Sequence, residues 1–172
     1  MISPTEMSRS YIQALEACDT SAVHLDEMQR KETFARISEL FSRMNVEKVQ
    51  RLVRTLYAPG AYLNDCLDVV VGAEAIEAYF VRSVSHARQI HFDFSDIALS
   101  IDGPDYYVRW QMTLEKRFLG RGLPLRIPGV SHFRFDARGR ILVHRDFWNT
   151  GSGLYERIPV LGWLIRRIRK RI

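Results

Sequence analysis

Hydrophobic and polar positions along this chain of 172 residues follow one period first and another afterwards. In the opening third, apolar residues recur every three or four places, the spacing of an amphipathic helix. Met7, Tyr11, Leu15 and Cys18 form such a series. Ahead of it, Ser3-Pro4-Thr5-Glu6 supplies an N-cap, a first-turn proline and an acid three residues after the cap. A polar stretch from Asp19 to Lys31 separates this helix from a second, marked by Phe34, Ile37, Phe41 and Met44 with Leu40 beside them. Asn45 caps a third, carried by Val46, Val49, Leu52, Val53 and Leu56 and ended by Ala58-Pro59-Gly60. Two short strands, Ala61 to Asp65 and Val69 to Val71, precede a helix over Gly72 to Ala87 whose inward residues are Ile76, Phe80 and Val84.

Beyond that point the period becomes two. Ile90, Phe92 and Phe94 alternate, then Ile97, Leu99 and Ile101 alternate on the opposite parity, which requires a bulge or bend near Ser95-Asp96. Asp102 to Asp105 turns the chain into a long strand, Tyr106 to Phe118, followed by a loop over Gly120 to Pro124. A hairpin closes the series: Val130 to Asp136, a turn Asp136-Ala137-Arg138-Gly139, and Arg140 to Trp148. Gly139 can take a positive φ at low steric cost, which gives the turn its mechanism. Helices first and long antiparallel strands afterwards make an α+β fold, a curved sheet wrapped around helices.

Composition narrows the function classes. Hydrophobic residues at 47% and charged residues at 26% are ordinary for a globular domain. The net charge of +5 sits entirely in the segment from Ser152 onward, which carries six basic residues and one acid; residues 1–151 are balanced at 19 each. The basic character therefore belongs to a tail, and nucleic-acid binding is not indicated. Cys18 and Cys66 are too few and too far apart for a disulfide framework or a zinc site, and a cytoplasmic setting is expected. No secretory leader and no apolar run of the ~20 residues a transmembrane helix needs is read from the sequence. Neither a glycine-rich nucleotide turn, nor a phosphate loop, nor a nucleophile elbow is present, and no metal or cofactor is expected.

Candidate chemistry collects on the closing hairpin. Alternation puts Leu142, His144, Asp146 and Trp148 on one face of the last strand, so an imidazole, a carboxylate and an indole lie in a row. A carboxylate between aromatic neighbours fits the wall of a polar-lined pocket. In the long strand, Tyr107, Arg109, Gln111, Thr113 and Glu115 form the polar face, and Arg109 and Gln111 are candidates for polar handles inside the curve of the sheet. Asp65, next to Leu63 and Cys66-Leu67, is a second carboxylate in an apolar setting of the kind that raises a pKa. His86 and His91 lack metal-ligand partners at useful spacing.

Leu56-Tyr57-Ala58-Pro59-Gly60-Ala61 leading into a strand, Val71-Gly72-Ala73-Glu74-Ala75-Ile76 opening a helix, and the hairpin Phe133-Arg134-Phe135-Asp136-Ala137-Arg138-Gly139-Arg140-Ile141 together resemble the NTF2-like superfamily, in its SnoaL-like and ketosteroid-isomerase-like branch. The resemblance spans residues 33–150, leaving 1–32 as an N-terminal helical extension and 151–172 as a basic amphipathic helix. It implies a cone, helices packed in a strongly curved antiparallel sheet, usually paired as a homodimer. It also implies a pocket for a small apolar oxygenated ligand, steroid-, terpenoid- or polyketide-like. Residue by residue, the general base of ketosteroid isomerases falls at Asp65. Their oxyanion-hole tyrosine falls at Phe41, which has no hydroxyl, and its aspartic partner at Ser131. The chain is also similar in part to limonene-epoxide-hydrolase-like enzymes: His144-Arg145-Asp146-Phe147-Trp148 matches the motif around one aspartate, Arg109 matches the arginine, and Gln111 replaces the second aspartate. Tyr62 and Asn64 supply the Tyr-x-Asn pair after a one-residue slip. The expected catalytic set is Asp65, Asp146 and Arg109; the expected ligand contacts are Tyr62, Asn64, Gln111, His144, Trp148, Phe41 and Ser131.

Two readings stay open at this stage. One is an acid–base enzyme: an isomerase, cyclase or epoxide hydrolase. The other is a non-catalytic ligand-binding or interaction module. For the tail, Leu161, Leu164, Ile165, Ile168 and Ile172 line one face of a helix and Arg166, Arg167, Arg169, Lys170 and Arg171 the rest. That pattern suits packing on the fold or on a dimer partner, or peripheral contact with an anionic membrane through residues 159–172.

Overall fold

In the computed structural model, residues 4–116 and 124–150 are described, together with Trp163 and Arg167. The elements that the described residues form are, in chain order, α1 (Pro4–Cys18), α2 (Glu27–Phe41), α3 (Val46–Leu56), β1 (Tyr57–Asn64), β2 (Val69–Val71), α4 (Ala73–Ser85), β3 (Ala87–Leu99), β4 (Tyr106–Lys116), β5 (Leu125–Phe135) and β6 (Ile141–Trp148). The sheet order is β2-β1-β6-β5-β4-β3. All neighbours are antiparallel except β1 and β6, which run parallel and bring the first strand beside the last.

Local chemistry sets most boundaries. The second helix begins inside the stretch expected to be a spacer, because Asp26 and Gln29 form a reciprocal capping box: the Asp26 carboxylate accepts from the Gln29 amide at 2.8 Å, and the Gln29 side chain accepts from the Asp26 amide at 3.2 Å. Asn45 caps α3 through the Lys48 amide at 2.9 Å, as its position predicts. β1 starts at Tyr57, ahead of Pro59-Gly60 rather than after it. The irregular pairing between Tyr57 and Tyr62 absorbs that proline as a bulge. The parity switch near Ser95 is a register shift between Phe94 and Asp96. At the hairpin turn Gly139 has φ +71°, and its amide donates to the Asp136 carbonyl at 2.9 Å.

The main core lies between the inner face of the sheet and helices α2, α3 and α4. Ile37, Leu40, Val49, Val53, Leu56 and Ile76 meet Tyr106, Val108, Phe133, Phe135 and Ile141 there. Helix α1 lies on the opposite, outer face against β1 and β6, where Cys18, Tyr62 and Val143 form a smaller cluster. One bulge decides which residues of β6 see which face. Arg134 pairs with Val143 but Phe135 pairs with Ile141, so Leu142 is the extra residue. The simple alternation expected for β6 therefore holds from Val143 onward and breaks at Leu142.

A polar network fastens α1 to the outer face. The Tyr11 hydroxyl meets His132 Nδ1 at 2.6 Å, His132 Nε2 meets Asp105 at 2.6 Å, and Arg134 donates to the same Asp105 oxygen at 2.6 Å and to the Leu15 carbonyl at 3.1 Å. Burial depresses the His132 pKa against the pull of Asp105, while Asp105 is held below the usual carboxylate range because its bonds to Arg134 and His132 outweigh its own burial. Burial beside Tyr107 pushes the Tyr11 phenol up to about 12. Among the described residues no helix is long and apolar enough to cross a membrane. The amphipathic helix expected over 151–172 lies outside the described residues apart from Trp163 and Arg167, whose guanidinium stands 5.4 Å from the indole centroid.

Candidate functional site

A cavity of about 140 Å³ opens between α2, α4 and the inner face of the sheet. Its wall is mostly apolar, built from Phe41, Met44, Phe80, Ile90, Phe92, Trp110, Met112 and Leu114, and its polar groups are Asp65, Tyr79, Ser83, His144 and Asp146. The alternation in β4 explains the wall. Trp110, Met112 and Leu114 point inward and are buried, whereas Tyr107, Arg109 and Gln111 point outward.

Asp146 is the central carboxylate and is 7% exposed. Across the β5–β6 ladder it pairs with Ser131, while His144 pairs with Phe133 and Trp148 with Gly129. Inward-facing side chains on paired residues stand close enough to bond. Ser131 donates its hydroxyl proton to Asp146 Oδ1 and accepts from the Trp110 indole N–H at 2.8 Å. His144 Nε2 lies 2.9 Å from the same Oδ1, and its Nδ1 lies 2.7 Å from the Tyr57 hydroxyl. The imidazole is stacked on Phe133 with centroids 4.3 Å apart. Among the described residues Asp146 Oδ2 has no hydrogen-bond partner. Gly129 makes room for this arrangement: a Cβ there would lie 2.2 Å from the nearest carbon of the Trp110 ring.

Asp65 occupies the turn after β1. Cys66 takes the left-handed conformation (φ 69°), and the Leu67 and Asp68 amides donate to Asp65 Oδ1 at 2.9 and 3.0 Å. Tyr79, from α4, donates its hydroxyl proton to Oδ2. Burial raises the Asp65 pKa, and these three donors pull against it without cancelling it. Tyr79 is itself pushed far above the usual phenol range by burial and by Asp65. The turn is tied to β6 by two bonds: Trp148 Nε1 donates to the Asp65 carbonyl at 2.7 Å, and the Cys66 thiol points to the Asp146 carbonyl at 3.0 Å.

Of the ten side chains singled out from the sequence, Asp65, Asp146, His144, Trp148 and Phe41 line this one cavity, and Ser131 stands directly behind Asp146. Four fall elsewhere. Arg109, expected beside the carboxylates, is 66% exposed on the outer face, where it bonds to Ser95 at 3.2 Å and stands 3.8 Å from Asp96. Gln111 shares that face and is exposed. The reason is physical: the inner side of the sheet is its apolar side, because it packs on the helices, so β4 sends its polar row outward. Tyr62 and Asn64 are buried but face α1: the Tyr62 hydroxyl meets Ser10 at 3.0 Å and accepts from the Asn64 amide at 3.1 Å. An Asp-Arg-Asp relay is therefore not assembled. Tyr57, Tyr79 and Trp110 were not singled out from the sequence. Tyr79 carries a signal, lying three residues after Ile76 on α4; Tyr57 carries none, since it precedes the Pro59-Gly60 break and the strand expected over Ala61 to Asp65. Among the described residues no three His, Cys, Asp or Glu side chains are grouped to hold a metal ion.

A family model for the SnoaL-like domain matches residues 34–144. A search of curated proteins finds no match. Solved structures with similar folds include a SnoaL-like polyketide cyclase, so described, from Shewanella denitrificans: 18% identity, TM-score 0.61, covering 78% of this chain and 98% of that one. Another is an LEH-like epoxide hydrolase from M. tuberculosis, at 13% identity and TM-score 0.58, covering 75% and 90%. A third is a hypothetical protein with a ketosteroid isomerase-like fold from Catenulispora acidiphila, in complex with trimethylamine, at 16% identity and TM-score 0.60, covering 72% and 89%. At these identities the likeness concerns the fold.

Proposed function

The chain belongs to the SnoaL-like domain family, and on that footing we propose that its inner cavity is the active site of an acid–base enzyme acting on a small, largely apolar ketone or lactone of polyketide type. The observation that carries this reading is Asp146, which lines a mostly apolar cavity: one carboxylate oxygen is held by Ser131 and His144, and the other has no hydrogen-bond partner among the described residues. A base of that kind needs no reorganisation before it takes a proton.

In the proposed step, Asp146 Oδ2 removes a proton from the carbon next to a carbonyl. The C–H electron pair becomes the enolate double bond, and the carbonyl electrons move to oxygen. That oxygen is received at the Asp65–Tyr79 pair: in the protonated form toward which burial shifts it, the Asp65 carboxyl donates to the Tyr79 oxygen in place of accepting from it, and the Tyr79 hydroxyl proton is freed for the enolate. The enolate carbon then either closes a ring on a second carbonyl of the same molecule, whose alkoxide oxygen takes the proton back from Asp146, or takes that proton at a different carbon; the first outcome is a cyclase and the second an isomerase. The space agrees with one ring at a time, since cavities of ~150 Å³ accept a benzene-sized guest. The polyketide cyclase and epoxide hydrolase among the similar structures add support for small oxygenated ligands; epoxide hydrolysis is the weaker choice because Arg109 and Gln111 lie on the outer face.

The test is solvent deuterium uptake at the α-carbons of a panel of cyclic ketones and polyketide-like lactones. Asp146→Asn is expected to slow enzyme-dependent exchange about 10²- to 10⁴-fold, the usual range for a lost general base. Exchange unchanged by that substitution removes the proposal.

A further inference from the structure

Tyr57 is a phenol with 0% exposure, placed at the first residue of β1 and absent from the cavity wall. The proton-transfer scheme above makes no use of it. Yet it stands at the end of a hydrogen-bonded chain of five side chains that terminates on Asp146 from both sides: Tyr57, His144, Asp146, Ser131 and Trp110. We propose that Tyr57 is a positioning residue that locks His144 as the Nε2–H tautomer and thereby reserves Asp146 Oδ2, and not the imidazole, for the reacting proton. This rests on the acid–base reading of the same cavity and deepens it.

The argument is a census of donors. Trp110 can only donate, so Ser131 Oγ accepts from it and has its own proton free to give to Asp146 Oδ1. On the other side, the Tyr57 hydroxyl has one proton and one described partner, His144 Nδ1. If Nδ1 carried a hydrogen, it would donate to the Tyr57 oxygen. The phenolic proton would then be buried without an acceptor among the described residues, at a cost of ~1–3 kcal/mol. Nε2 would meanwhile turn a lone pair on Asp146 Oδ1 at 2.9 Å. With hydrogen on Nε2, every donor finds an acceptor and both arms of the chain point at Oδ1. Burial, and after it the nearby Asp146 charge, drives the Tyr57 pKa well above the usual phenol value, so the phenol keeps the proton this scheme needs. Both imidazole nitrogens are thus engaged. His144 orients the base and is not free to act as one.

The lock is read directly by long-range ¹H–¹⁵N correlation of the histidine side chains in the full-length chain, with His144 assigned by comparison with His144→Gln. The expected wild-type pattern at neutral pH is a pyrrole-type Nε2 and a hydrogen-bonded pyridine-type Nδ1. Tyr57→Phe removes one oxygen and is expected to shift the Nδ1 resonance and mix the tautomers. Ser131→Ala, which cuts the other arm, is expected to leave the tautomer in place. A wild-type Nδ1–H tautomer overturns the proposal even if the Tyr57→Phe chain does not fold, and so does an unchanged spectrum in a folded Tyr57→Phe chain. The spectra need no substrate, so an observed lock alongside deuterium exchange indifferent to Asp146→Asn would remove the catalytic reading alone.

Discussion

Replacing Gly129 by alanine tests whether the cavity wall depends on a missing side chain. Gly129 is paired with Trp110 on β4 and with Trp148 on β6, and its φ is not in the positive range. On backbone grounds alone, an alanine there would stabilise by ~0.4–1 kcal/mol through the unfolded chain. Space reverses the sign. The added carbon would lie 2.2, 2.4 and 2.7 Å from three carbons of the Trp110 ring. A buried indole against a sheet cannot yield that much without changing rotamer or moving the strand, and overpacking of this kind costs ~1–3 kcal/mol. Moving the indole also costs its 2.8 Å bond to Ser131, worth ~1 kcal/mol. After the backbone gain is deducted, the net loss is about 1–3.5 kcal/mol, which for a chain of this size lowers Tm by roughly 2–14 °C. Urea and thermal unfolding followed by circular dichroism measure it directly. Gly60→Ala is the matched control, since nothing lies within 4 Å of its added carbon. Gly129→Ala as stable as wild type, or no worse than Gly60→Ala, would refute the packing argument and with it the role of Trp110 in holding Ser131.

Two further predictions concern pH. Burial raises the Asp65 pKa in the folded state, so the fold binds this proton more tightly than the unfolded chain does, and Asp65 costs stability as pH rises from ~4 through its folded value. Asp65→Asn removes that slope, and its stability relative to wild type is expected to improve over the same interval in urea titrations; a constant difference counts against the assignment. On the outer face the signs run the other way. His132 is held below its unfolded pKa and Asp105 below its own, so both add stability that is lost as pH falls, His132 from ~6.5 downward and Asp105 at lower pH. His132→Gln is expected to flatten unfolding free energy between about pH 7 and pH 5, with protease cleavage in α1 as a second readout. An equal slope in wild type and variant overturns it.

What the sequence revealed and what it hid divide along a physical line. Features written in local spacing were legible: the Asn45 cap, the parity switch at Ser95, the Gly139 turn, and the inward row His144-Asp146-Trp148. Features that depend on which face the helices cover were not. Arg109 and Gln111 sit on a polar row, and a polar row can line a pocket or face solvent; the packing of α2 and α4 on the other side decided it. Tyr57 was hidden because Pro59-Gly60 reads as a break, whereas the strand carries both as a bulge and begins before them. Asp65 and Tyr79 come together only through the docking of α4 on the turn after β1, which no spacing within either segment encodes.

The β5–β6 hairpin serves two masters one residue apart. Ser131 and Asp146 belong to the cavity, while their neighbours His132 and Arg145 face α1, with the Arg145 guanidinium 4.1 Å from the centre of the Tyr11 ring. A one-residue slip of register in β5 would deliver His132 to the cavity and Ser131 to the helix, and one in β6 would exchange Asp146 for Arg145. The length of this hairpin is therefore more tightly constrained than its composition. Descendants of this chain are free to alter the ligand by substitution at the inward row, but a change of register would cost them the helix fastening and the carboxylate together.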